Sequence, residues 1–339
     1  MKKLWINNNL IDRLAILQQT EIAHPGIGQV AIEKDWWVTI TLKALFRTEC
    51  SKSLIFKGGT SLSKGFNIIE RFSEDIDLAI SHSFFGIEKT TKNQREKLRK
   101  VARKYIQEKL SVQLDGQLKE MGITGYNIEN VTQVRNKNGD WNPIDSDKDP
   151  TVILLNYISI VEDAINYIPP RVKIEISCLS MDEPTEVREI HSLIEENFKQ
   201  EDSDANCNIR TVLPSRTFLE KIFLLAEEFQ KDKPRSMRMS RHLYDLEKLM
   251  DTKYGKVALA SRSLYDEIVE HRKNYYALKY VDYDSLAPTV IKFLVPTSEL
   301  EAWRADYANM RRFFIYNKSL DFDSLMLRME ELQQRVRNM

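Results

Sequence analysis

Two short segments constrain this chain more than any others: an apolar run ending on paired glycines, and a strand that alternates aspartates with aliphatics. Ser53-Leu54-Ile55-Phe56 leads into Lys57-Gly58-Gly59-Thr60-Ser61-Leu62. An apolar run closed by two glycines reads as a buried strand entering a tight turn, since glycine adopts backbone conformations that a Cβ disfavours. Asp75 follows Gly59 by 16 positions, in Ser73-Glu74-Asp75-Ile76-Asp77-Leu78-Ala79-Ile80. Ile76, Leu78 and Ile80 alternate with Asp75, Asp77 and Ala79, the period of a strand with one buried face. Ser73, Asp75 and Asp77 then share the other face, which is costly unless a cation or solvent meets them.

The chemistry open to such a pair of segments is specific. Paired glycines let backbone N–H groups approach a ligand, Thr60 and Ser61 add hydroxyls, and a helix starting there turns its positive end toward the same point, which suits phosphate. Carboxylates at i and i+2 of a strand have Cα atoms roughly 6–7 Å apart and can hold Mg²⁺ while leaving positions for substrate phosphates. A third carboxylate is usual. Glu175, opposite Ile174 and Ile176 on the alternating segment Arg171–Ser177, is the natural candidate. Taken alone, a Gly-Gly-Thr turn is usually only a turn, and an Asp-x-Asp strand is more often a solvated face. Their conjunction in this order is what carries weight.

The rest of the chain divides by pattern. Apolar residues at helical spacing fill the first fifty positions, interrupted at His24-Pro25-Gly26-Ile27-Gly28. Helical spacing also runs from Ser61 to Ile69, and Gln94–Lys119 is a charged amphipathic segment. Strand-like runs follow at Gly125–Arg135 and Thr151–Ile160, with a turn-rich stretch from Asn136 to Asp140. From Pro214 onward the pattern is almost wholly helical, around 217–229, 240–250, 257–273, 284–294, 297–316 and 321–337. The expected organisation is an α+β core with N-terminal helices over 1–212 and a helical domain over 213–339.

Composition narrows the classes. Lys plus Arg and Asp plus Glu are each 50, so no global basic field advertises nucleic acid. Cys50, Cys178 and Cys207 form neither a disulfide framework nor a metal motif. The five histidines (His24, His82, His191, His242, His271) make no HxH or HD cluster, which leaves a metal-dependent phosphohydrolase unsupported. No apolar run reaches membrane-spanning length, and a soluble, cytoplasmic protein is expected.

The wording of the motifs goes further. Lys57-Gly58-Gly59-Thr60-Ser61-Leu62, then Arg71-Phe72-Ser73-Glu74-Asp75-Ile76-Asp77-Leu78, resembles the polymerase-β-like nucleotidyltransferase superfamily. Together with Glu33-Lys34-Asp35-Trp36-Trp37, Thr217-Phe218-Leu219-Glu220-Lys221 and Arg241-His242-Leu243-Tyr244-Asp245-Leu246, it resembles the AbiEii/AbiGii toxins of type IV toxin–antitoxin pairs. The resemblance spans roughly residues 30–250. It implies a mixed-sheet nucleotidyltransferase core in which Gly58, Gly59, Thr60 and Ser61 cradle the nucleotide's β/γ-phosphates. Ser73 would stand beside Asp75, and Asp75 and Asp77 would hold Mg²⁺. Lys221 and Asp245 match the family's late lysine and aspartate, whereas His242 stands where the family commonly has Asp.

These two late residues also have structural readings. Lys221 borders an apolar stripe and would snorkel, and Asp245 lies one turn after Arg241 and would form a surface ion pair. The cluster Lys231, Lys233, Arg235, Arg238, Arg241 is either a solvated face or a track for an RNA backbone. The activity implied is Mg²⁺-dependent transfer of a nucleotide from an NTP to an RNA hydroxyl, a tRNA 3′ end being one candidate, with growth arrest restrained by an antitoxin. AMPylation or UMPylation of a protein and an inactive nucleotide-binding module are the alternatives.

Overall fold

The computed structural model describes residues 3–87, 91–136, 138–162, 168–179, 181 and 184–339. The chain forms two compact units, one comprising residues 1–65 with 73–211 and the other 66–72 with 212–339. The segment Phe66–Phe72, between the glycine turn and the aspartate strand, therefore belongs with the helical unit. No local pattern announces that excursion.

The first unit is built on a seven-stranded mixed sheet. Its strands are β1 (Leu54–Lys57), β2 (Asp75–Ile80), β3 (Tyr126–Asn130), β6 (Thr151–Tyr157), β7 (Arg171–Ser177), β8 (Thr185–Ile190) and β9 (Cys207–Val212), in the order β3-β6-β7-β2-β1-β9-β8. β2 runs antiparallel to β1 and parallel to β7, which places the aspartate strand at the centre of the sheet. A separate two-stranded ribbon, β4 (Gln133–Arg135) with β5 (Trp141–Pro143), interrupts the path from β3 to β6. Lys137, in the turn at 136–140, lies outside the described residues.

Helices α1 (Leu10–Ala23), α2 (Gln29–Leu45), α4 (Lys92–Tyr105), α5 (Ser111–Glu120) and α6 (Leu193–Asn197) complete this unit, with α3 a single helical turn at Gly58–Thr60. Almost all of α2 is buried, including Glu33, Lys34, Thr39, Thr41 and Lys43 among its apolar residues, so the helix is enclosed rather than amphipathic. Its Trp37 stacks on Tyr157 with ring centroids 4.9 Å apart, and Trp36 meets Trp5 edge-on at 5.3 Å. Asp202 locks this cluster by accepting hydrogen bonds from the Trp5 backbone N–H and from Trp36 Nε1, each at 2.9 Å.

The second unit carries α7 (Pro214–Glu228), α8 (Ser240–Met250), α9 (Lys253–Ala260), α10 (Arg262–His271), α11 (Leu300–Phe313) and α12 (Phe322–Arg337). No helix among the described residues is long and apolar enough to cross a membrane.

Several sequence expectations need correction. Residues 284–294 hold only a 3-10 turn at Tyr283–Leu286, after which Pro288, lacking an N–H, opposes continued helix. Residues 257–273 break at Ser261, whose side chain caps a new helix. The helical spacing after Ser61 yields one wide turn ending at Gly65, and Asn67 lies in the left-handed region at φ 52°. β5, β8 and β9 were not anticipated.

Candidate active site

Gly58 is the tightest point of the site. It adopts φ +78°, and a Cβ built on it would lie 1.9 Å from Asp77 Oδ2 and 2.7 Å from Asp77 Cγ. The glycine therefore serves two ends: it permits the backbone turn, and it vacates the space that the Asp77 carboxylate occupies. This fixes the relation between the two sequence motifs, because Lys57 and Asp77 are also opposite one another in the β1–β2 ladder.

Thr60 and Ser61 are fully buried. The Thr60 hydroxyl donates to the Asp75 carbonyl and lies 2.9 Å from Ser73 Oγ, while the Ser61 hydroxyl donates to the Gly58 carbonyl at 2.8 Å. Both hydroxyls thus brace the turn and the strand rather than stand open to a ligand. The contribution the turn can make to a phosphate is through its backbone. Gly58, Gly59, Ser73, Asp75 and Asp77 are half-buried, as a solvent-facing site floor requires.

The parallel register of β2 and β7 sets Asp75 beside Lys173 and Asp77 beside Glu175. Glu175 thus stands on the strand next to Asp77, and its Oε1 is held 2.5 Å from Lys173 Nζ. Among the described residues no group of three His, Cys, Asp or Glu side chains forms a metal cage. The donor set nevertheless suits a hard divalent ion: two carboxylates on one strand face, one of them seated in the gap left by a glycine, with coordination positions open to substrate oxygens.

Behind this floor lies a layer of buried and half-buried charge on α2, carried by Glu33, Lys34 and Asp35. Lys34 Nζ donates to Glu74 Oε2 at 2.6 Å and to the Pro169 carbonyl at 3.1 Å. Burial lowers the Lys34 pKa, against the raising influence of Glu74 and of Asp75. Glu33 accepts from the Ile160 N–H at 3.0 Å and from the Ser159 hydroxyl, and burial raises its pKa. Asp35 accepts from the Leu193 N–H at 2.8 Å and pairs with Lys64 just past the glycine turn. Three consecutive charges inside an apolar helix were the available signal, since such residues are rarely buried without partners.

Lys221 and Asp245 are found in the helical unit, in a buried ionic network. Asp245 is completely buried and accepts both Arg71 Nε and Arg71 Nη2 at 2.7 Å, and Lys221 Nζ approaches its Oδ2 at 2.9 Å. Neither structural expectation holds: Lys221 does not snorkel, and Asp245 is no surface partner of Arg241. Burial would raise the Asp245 pKa, but Arg71 and Lys221 more than offset it and hold the carboxyl far below its usual range. His242 Nδ1 lies 3.5 Å from Lys221 Nζ. Burial and the neighbouring Lys221 and Arg241 charges keep this imidazole neutral.

Part of the basic cluster at 231–241 is likewise committed internally. Lys231 and Arg235 clamp the buried Glu228 at 2.6 and 2.9 Å. Burial opposes ionisation of Glu228, but the hydrogen bonds from Arg235 and Lys231 bring its pKa down to about 2. At least these two cations are therefore poor candidates for tracking RNA.

Comparison with known proteins agrees with the motifs. The sequence model of the family described as nucleotidyl transferase AbiEii toxin, type IV TA system, matches residues 41–328. Among solved structures, the chain is similar to MenT4, a nucleotidyltransferase toxin from Mycobacterium tuberculosis H37Rv. The identity is 16%, 96% of each chain is covered, and the TM-score is 0.42. No curated protein sequence matches significantly.

Proposed function

The chain belongs to the AbiEii family of nucleotidyltransferase toxins of type IV toxin–antitoxin systems, and from that premise we propose that it transfers a nucleotide from an NTP to a hydroxyl of RNA. The observation that carries this reading is the seating of the Asp77 carboxylate in the gap left by Gly58. It joins a phosphate-binding type of turn to a cation-binding type of strand within one unit.

In this proposal the backbone of the Gly58–Ser61 turn binds the β/γ-phosphates. Asp75 and Asp77 hold Mg²⁺, Glu175 stands next in line, and Ser73, hydrogen-bonded to Thr60, borders Asp75. A divalent ion held there supplies charge neutralisation and alignment of the attacking and leaving oxygens. A carboxylate of the pair is placed to accept the proton of the incoming hydroxyl. Lys221 and Asp245 keep the part in transfer that the family motif implies for them, and within the helical unit Asp245 and Arg71 fix the position of the Lys221 ammonium. A cognate antitoxin partner and a cytoplasmic site of action complete the proposal.

The test incubates the protein with each labelled NTP, Mg²⁺ and total RNA, and resolves RNA and protein on one gel. Label in an RNA band, lost in Asp75→Asn and Asp77→Asn, is the expected result. Label only in protein bands would replace the reading with AMPylation or UMPylation, and no label with any NTP would leave a binding module.

A further inference from the structure

The ribbon β4–β5 is unusual in what it leaves uncovered. Every residue of its two strands is exposed. A two-stranded hairpin of this kind is marginal in water unless something packs on it. Val134 is 54% exposed and Trp141 64% exposed. In the ladder Arg135 stands directly opposite Trp141, so a guanidinium and an indole share one face of the ribbon. Arg135 Nε donates to the Gly139 carbonyl at 2.7 Å, which fixes the arginine against the turn.

Helix α4 adjoins the ends of this excursion. Arg103 donates to the Val131 carbonyl at 3.4 Å, and Arg99 Nη2 lies 3.5 Å from Asp147 Oδ2. Between Lys92 and Lys109 the chain has eight cations (Lys92, Arg95, Lys97, Arg99, Lys100, Arg103, Lys104, Lys109) and two acids (Glu96, Glu108), in a protein whose total charge balances. Lys97, Lys100 and Lys104 recur at helical spacing and are exposed. At 3.6 residues per turn, Lys100 is only about 60° around the helix from Arg103. The excursion's own charges largely cancel, with Asp140, Asp145, Asp147 and Asp149 against Arg135, Lys137 and Lys148, so the attraction for an anion comes from α4.

The root of the ribbon is also level with the carboxylates. The Val131 N–H donates to the Val152 carbonyl, Val152 pairs with Glu175, and Glu175 pairs with Asp77. Two strand spacings, about 10 Å, separate the β6 position from Asp77.

We propose that α4 and the β4–β5 ribbon form the docking surface for a single-stranded segment of the acceptor RNA. A base stacks on Trp141, and the backbone phosphates follow Lys97, Lys100 and Lys104. This pairing of stacking platform and cationic track is the chemistry by which single strands are held without a sequence code. An exposed aromatic alone suits a protein partner equally; the lysine row beside it is what favours a polyanion. The inference rests on the RNA-acceptor reading above.

The full-length protein offers a direct readout. Trp5, Trp36, Trp37 and Trp303 are at most 1% exposed, so tryptophan quenching during titration with an oligoribonucleotide of about twelve nucleotides, within the range of known single-strand sites, reports on Trp141. The variants are compared with wild type by the anisotropy of the same oligoribonucleotide carrying a fluorophore, since replacing Trp141 removes the reporter; Trp141→Phe should bind nearly as wild type. Trp141→Ala should bind about 5- to 150-fold more weakly, the range for one lost stacked base, with an unchanged melting temperature. Lys97→Glu/Lys100→Glu/Lys104→Glu should weaken binding and flatten the log K against log salt slope by about 2, at roughly 0.7 per phosphate contact.

Wild-type RNA affinity in both Trp141→Ala and the triple variant overturns the inference; if wild-type enzyme still labels RNA, the function reading survives it. Quenching by RNA with label entering only protein supports the surface and overturns the acceptor reading. Loss of protein labelling in Trp141→Ala with unchanged RNA affinity overturns the inference in favour of a protein partner.

Discussion

Replacing Gly58 by alanine separates two duties of one residue. The backbone duty has a calibrated cost: an L-residue held in the left-handed region loses about 1–2 kcal/mol. The space duty is larger. The new Cβ would meet Asp77 Oδ2 at 1.9 Å, whereas ordinary contact is near 3.5 Å, so the carboxylate must retreat by about 1.5 Å. A misplacement of about 1 Å at a reacting centre costs about 10²-fold in rate, and Gly58→Ala should lose at least that much.

Gly125 provides the control, because it has the same φ of +78° and nothing within 4 Å of its built Cβ. Gly125→Ala should lower the melting temperature by about 2–8 °C, from the backbone term alone, and leave turnover unchanged. Gly58→Ala should lose stability at least as great together with its activity. In an Asp77→Ala background, which removes Oδ2 and Cγ, the stability cost of Gly58→Ala should shrink by about 0.5–3 kcal/mol, the usual coupling of touching residues. The assays are labelled-NTP transfer and thermal melting on the five proteins. Normal turnover in Gly58→Ala, or strict additivity with Asp77→Ala, would refute the argument that the glycine exists to seat that carboxylate.

Other expectations follow from the buried charges. Lys221→Met leaves Asp245 with Arg71, whereas Asp245→Asn strips the counter-charge from two buried cations; breaking a buried pair costs about 3–5 kcal/mol, and Asp245→Asn should be the worse of the two in urea unfolding. The opposite order would show that the network is not held by its carboxylate. Lys34→Met removes the ammonium partner of Glu74 beside the aspartate strand and should cost a similar 3–5 kcal/mol, read from urea midpoints; a change under about 1 kcal/mol, the scale of a surface pair, would contradict it. Burial pushes the Asp202 carboxyl up to about 6. The folded chain therefore keeps a proton that the unfolded chain releases between about pH 4 and about pH 6, and stability falls as pH rises through that window and is flat above it. Asp202→Asn should remove this slope, and an identical slope in both proteins would discount the residue.

What the sequence determined by itself was local and periodic. Two glycines after an apolar run, and aspartates alternating with Ile76, Leu78 and Ile80, suffice to give a turn and a one-sided strand, because each depends on near neighbours. The buried faces of β2 and β7 follow the same alternation. The helix expected at 284–294 does not form because Pro288, which lacks an N–H, outweighs the apolar spacing there. β8 and β9 went unread because short strands are stabilised by partners remote in sequence.

Tertiary structure alone decided the rest. Strand register is a property of two strands, so the Asp77–Glu175 adjacency waits on the parallel pairing of β2 with β7. The capture of Phe66–Phe72 by the helical unit has no local cause; it brings Arg71 to Asp245, 174 positions away in sequence. Glu33, Lys34 and Asp35 read as three charges in an apolar helix, and only the folded chain shows that each reaches a different long-range partner. Burying a charge is tolerable only where a partner of opposite sign or a set of donors awaits it, and such partners are supplied by the fold rather than by the neighbours in sequence.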